Sequence, residues 1–137
     1  MSENEMRKPF AGAEVVFNYT RAQAIEDGVL IDVTETAKEA GFKVPTAISL
    51  NVYEEVVLPP ALAAEQGESE AGRLWDVLWM CSLAVRQANR RPDRDEVRFK
   101  VIATDAEGEK AVHRLYVKSH GGDNGEHVLT VMCEGED

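Results

Sequence analysis

Three histidines, His113, His120 and His127, recur at seven-residue intervals, with Asp123 and Glu126 beside the last two. Imidazoles and carboxylates are zinc ligands when they meet at one point. Here the spacing predicts His113 inside a strand and the other two on either side of a glycine-rich turn, so equal intervals do not bring three rings together. No metal is expected. The run Gly121-Gly122-Asp123-Asn124-Gly125 could be compared with a phosphate cradle or a calcium loop. It joins two predicted strands, and it lacks the Lys-Ser/Thr pair and the terminal Glu of those motifs. It reads as a wide hairpin turn. No nucleophile stands in a recognisable elbow or beside a base, which points away from catalysis, and no cofactor is expected.

Two polar groupings could bind something. Arg21, Gln23, Asp27 and Asp32 stand close in sequence, and Asp32 interrupts an apolar strand, so its carboxylate must be exposed or paired. With Trp75 and Asp76 of a long helix they could line a small-molecule or nucleotide pocket, provided that all converge on one cavity. Thr20 and Gln23 also have capping-box spacing, which gives part of this group a structural role. The second grouping is a sheet face. Strand alternation gathers Arg98, Lys100, Arg114, Tyr116 and Lys118 on one side, a surface suited to an anionic partner or to single-stranded nucleic acid.

Composition limits what these groups can be part of. The chain has 137 residues, 44% hydrophobic and 29% charged, as expected for an ordinary globular protein. No apolar run approaches the roughly 20 residues of a bilayer crossing. The first ten residues carry Glu3, Glu5, Arg7 and Lys8 where a signal peptide is apolar, so a cytoplasmic location and no membrane contact are expected. Cys81 and Cys133 read as free thiols. The net charge of −10 disfavours general attraction to nucleic acid. It is unevenly spread: residues 86–118 hold nine basic residues against six acidic, residues 1–85 six against fourteen, and residues 119–137 none against five.

The elements that must position these residues follow from periodicity. Residues 1–16 read as a disordered arm, followed by a single α+β domain over residues 17–134. A short helix from Arg21 to Asp27 ends at Gly28, and Val29–Val33 reads as a buried strand. Thr34 is placed to cap a helix from Glu35 to Ala40, which stops at Gly41. Ile48, Val52, Tyr53, Val56 and Val57 fit helical spacing, although Ile48, Leu50 and Val52 also alternate as in a strand; helix is favoured. Residues 59–70 read as a mobile loop. The longest helix spans Glu70 to about Asn89, and Trp79, Met80 and Leu83 widen its apolar arc, predicting packing on more than one side and room for a homodimer interface. Three strands follow, over residues 96–103, 110–118 and 127–133. The expected fold is an antiparallel sheet, made of this C-terminal meander plus one early strand, packed against the long helix, with short N-terminal helices.

The run from Tyr19 to Val33, together with Glu39-Ala40-Gly41-Phe42, Pro45 and Arg73-Leu74-Trp75-Asp76-Val77-Leu78, resembles a family of small uncharacterised proteins carried by bacterial plasmids, phages and integrated elements. The family's domain has no assigned function, so the resemblance transfers no catalytic residue. It does imply a mobile-element setting. With the charge and the absence of a catalytic motif, that setting suggests a non-enzymatic interaction protein, an acidic inhibitor of a host-defence or nucleic-acid-binding protein with a basic surface.

Overall fold

The computed structural model describes residues 19–88 and 96–136. The expected arm over residues 1–16 and the helix-breaking Arg90–Asp93 lie outside these residues. Helix α1 (Arg21–Glu26) begins with the capping box: Gln23 N–H donates to Thr20 Oγ1 (3.0 Å) and Thr20 N–H to Gln23 Oε1 (2.9 Å). Gly28, at φ +80°, turns the chain out of it. Strand β1 (Leu30–Asp32) is half exposed rather than buried, because it forms an edge of the sheet.

Helix α2 covers Thr34–Glu39, and its capping differs from the sequence expectation. Thr34 does not cap: its hydroxyl reaches Asp32 Oδ1 (2.5 Å) and Thr46 O (3.3 Å), and it accepts from Thr46 N–H (3.1 Å). Asp32 serves the helix start instead, its Oδ1 accepting from Thr34 N–H at 3.1 Å. The carboxylate that interrupts an apolar strand therefore holds a turn.

The ambiguous stretch after Pro45 divides. Thr46–Ser49 is strand β2, buried throughout, and Ser49 Oγ then accepts from Val52 N–H (3.2 Å) to start α3 (Leu50–Val52). A π-helical turn, Tyr53–Val57, follows and is closed by Leu58 N–H to Tyr53 O at 2.7 Å. The wider turn lets the adjacent Val56 and Val57 both enter the core. The favoured helix thus begins only after β2: Thr46–Ser49 is buried throughout between its neighbours and so shows no alternation, while Leu50 and Val52 of the alternating set belong to α3. The expected mobile loop contains helix α4 (Ala61–Glu65), anchored by buried Ala63.

Helix α5 (Glu70–Ala88) lies on one face of a five-stranded sheet ordered β1-β2-β5-β4-β3, with β3 at Glu96–Thr104, β4 at Lys110–Gly121 and β5 at His127–Cys133. The meander pairs antiparallel as expected, but the sheet is mixed. β2 runs parallel to β5, with Ala47 opposite Thr130 and Ile48 opposite Val131. Six elements separate these two strands in sequence, so no local pattern reveals their direction. Val97 opposite Val117 and Phe99 opposite Leu115 face α5. They join Ile48, Val131, Val77, Leu78 and Cys81 in the core, with Ala37 and Ala40 of α2 at its side.

The fold is an α+β arrangement of a mixed sheet with one long helix. Trp79, Met80 and Leu83 do not add a second packed side to α5 among the described residues; they remain 38%, 40% and 41% exposed. Two substitutions test the local assignments. Asp32→Ala should lower stability by about 1 kcal/mol while Asp32→Asn, which keeps the acceptor, loses little; Leu78→Ala should cost roughly 2–5 kcal/mol, both read by chemical denaturation.

Candidate functional site

Arg73 stands four residues before Val77 and eight before Cys81, on the buried stripe of α5, and is itself only 5% exposed. A guanidinium in such a place must be paired and hydrogen-bonded. Its Nε donates to Val56 O (2.8 Å), and its Nη1 donates to Glu68 Oε1 (2.7 Å) and Thr104 O (3.3 Å). Thr104 Oγ1 donates to Glu68 Oε2 at 2.7 Å, so both oxygens of one carboxylate are engaged. The Thr104 hydroxyl, and then Arg73, hold the Glu68 carboxyl below its usual range. Arg73 Nη2 has no hydrogen-bond partner among the described residues.

A cleft of about 450 Å³ opens over this group, walled by Trp75 and Asp76 of α5, Ile102 of β3 and Lys110 of β4. A second cleft, about 390 Å³, lies where β1, the start of α2, the π-helical turn and the first turns of α5 meet. Its floor is apolar, formed by Ile31, Ile48, Val57 and Leu74, while Asp32, Glu35 and Glu70 bring carboxylates to its edge. Tyr53 Oη donates to Glu70 Oε1 at 2.8 Å. The Glu70 carboxylate pushes the Tyr53 phenol above its ordinary value.

The six residues proposed for one pocket occupy different places. Arg21 reaches the face of the sheet opposite α5, its Nη1 donating to Thr130 Oγ1 (2.8 Å) and its Nη2 to Leu129 O (2.9 Å). Burial lowers its pKa, opposed by the carboxylates of Asp32, Asp123 and Glu126. Asp123 accepts from the backbone N–H groups of Arg21 (2.7 Å) and Ala22 (3.0 Å), tying the β4–β5 turn to the start of α1. Gln23 is used in its cap, and Asp27 accepts from Tyr19 Oη at 3.0 Å. Asp32 lines the smaller cleft, Trp75 and Asp76 the larger.

On the outer sheet face Arg98 lies opposite Tyr116 and Lys100 opposite Arg114, with Lys118 opposite Glu96. The four cations are exposed, and Arg98 approaches Glu134 at 3.7 Å. Tyr116 is buried, its hydroxyl directed to Glu136 O, and it presents no ring for stacking.

The histidines also separate. His113 lies opposite Val101, on the α5 side, with a buried Nε2 that has no partner among the described residues. Burial, then Arg73, lowers its pKa. His120 Nε2 pairs with Thr130 Oγ1 (2.8 Å) and His127 Nε2 with Ser119 Oγ at the far end of β4. Among the described residues no three His, Cys, Asp or Glu side chains are grouped as metal ligands. No helix is long and apolar enough to cross a membrane.

The chain matches a family of unknown function (DUF6573) over residues 6–137. It belongs to that family. No curated protein and no solved structure matches it.

The Arg73 group escaped the sequence reading because its partners are 5, 17 and 31 residues away. The signal that could have found it is an arginine at the spacing of a buried stripe. Because the Glu68 carboxyl is depressed in the folded chain, the unfolded chain binds more protons as pH falls, and the stabilisation it supplies is present above the unfolded carboxyl pKa and lost in acid. Denaturant midpoints measured across the acidic range should therefore fall more steeply for the native chain than for Glu68→Gln.

Proposed function

We propose that the protein is a non-enzymatic interaction protein that binds a basic partner through the acidic-edged cleft between β1, α2 and α5. One observation carries this reading: an apolar floor of Ile31, Ile48, Val57 and Leu74 is bordered by the carboxylates of Asp32, Glu35 and Glu70. Lys and Arg side chains have the matching composition, an apolar stem that can cover such a floor and a charged head that stays at its edge. The net charge of −10 favours encounter with a basic surface at long range.

In the mobile-element setting that the family resemblance implies, the partner would be a cytoplasmic host or element protein whose basic surface holds nucleic acid. Occupying that surface would inhibit it by competition.

The larger cleft supports a second reading, a small-molecule or nucleotide site. Arg73 Nη2 offers a donor without a hydrogen-bond partner among the described residues, and Trp75 and Lys110 supply a ring and a charge on the walls. A thermal shift with nucleotides that disappears in Trp75→Ala would favour it.

For the first reading, capture of a partner from a host lysate should be strong at low salt and lost at high salt. Glu35→Gln with Glu70→Gln should weaken the complex by roughly tenfold in a direct titration with the purified partner, since exposed charge pairs contribute up to about 1 kcal/mol each. Binding that ignores both salt and the double substitution would overturn it.

A further inference from the structure

The solvent side of α5 is apolar where a free helix would be polar. With 3.6 residues per turn, Asp76, Trp79, Met80, Leu83 and Gln87 share that side. Trp79, Met80 and Leu83 are 38%, 40% and 41% exposed, and the Trp75 and Trp79 rings stack with centroids 5.8 Å apart and planes at 13°. Two charges of opposite sign stand towards the ends of this strip. Asp76 has no ion-pair partner among the described residues, and the Arg86 guanidinium, also without one, lies 5.5 Å from the Trp79 ring centroid. The ten-residue step between them spans about 15 Å of helix.

We propose that this strip is a two-fold interface with a second copy of the chain, α5 packed antiparallel against α5. The charges select both the occupant and the direction. A parallel pair would set Asp76 against Asp76 and Arg86 against Arg86. An antiparallel pair with its two-fold axis between Trp79 and Leu83 sets each Asp76 beside the other copy's Arg86, and each Trp79 against the other copy's Leu83. One strip thus satisfies itself twice, covering its exposed rings and supplying partners to two charges that have none among the described residues. Aromatic, Met and Arg side chains are also those that interfaces favour.

This inference does not rest on the basic-partner reading, and salt separates the two. Each copy carries −10, so two copies repel at long range, and moderate salt screens that repulsion more than it screens contacts within the interface. Dimerisation should strengthen as salt rises from low ionic strength, whereas binding to a basic partner weakens.

Analytical ultracentrifugation of the full chain over a roughly hundredfold concentration range should show a monomer–dimer equilibrium. Leu83→Glu, at an exposed position, should keep the circular dichroism spectrum and raise the dissociation constant by about a hundredfold. Asp76→Arg or Arg86→Glu alone should weaken the dimer by roughly tenfold, and the two together should restore most of the loss. A chain that stays monomeric throughout, or a dimer indifferent to Leu83→Glu in a folded variant, overturns the interface. A double charge exchange no better than either single one overturns the antiparallel pairing.

Discussion

A guanidinium buried beneath α5 sets conditions that much of the surrounding structure meets. Arg73 cannot be withdrawn from water without acceptors, and three come from separate parts of the chain: the π-helical turn at Val56, the segment before α5 at Glu68 and the end of β3 at Thr104. The first turn of α5 is thereby held against both the preceding irregular segment and the edge strand. Both clefts beside α5 depend on this. The larger opens directly over Arg73, and the smaller is bounded by Val57 and Tyr53 of the same π-helical turn.

The second organising contact is the parallel pairing of β2 with β5. It places the short, wholly buried β2 between β1 and the meander, so that the N-terminal half and the C-terminal strands share one sheet and one core. It also carries Asp32, at the end of β1, to the edge of the smaller cleft. The same sheet separates the polar groups. Arg21 is spent on Thr130 and Leu129 on one face, while Trp75 and Asp76 stand on the helix covering the other.

Charge is sorted by this arrangement more sharply than by position in the chain. Register places Arg98, Lys100, Arg114 and Lys118 on the outer face of the meander, and carboxylates gather around the opposite end of the sheet at Asp32, Glu35 and Glu70. An apolar strip on α5 lies outside both. The surface therefore offers chemically distinct regions for contact.

The sequence by itself determined the elements whose causes are local. The Thr20–Gln23 capping box, the turn at Gly28, the long stripe of α5 and the period-two alternation of β3 and β4 each arise from contacts a few residues apart, and each stands in the structure. It also identified the outer basic positions, since alternation dictates them. Only the tertiary structure decided the direction of β2 relative to β5, the strand-then-π-turn division after Pro45, the partners of Arg73 and the separation of Arg21 from Trp75 and Asp76. Those outcomes depend on which distant groups meet, and the closure of long loops leaves little trace in local spacing. Asp32 shows the boundary well: its type and place announced a carboxylate needing a partner, but the fold assigned it to the turn into α2 and to the edge of a cleft.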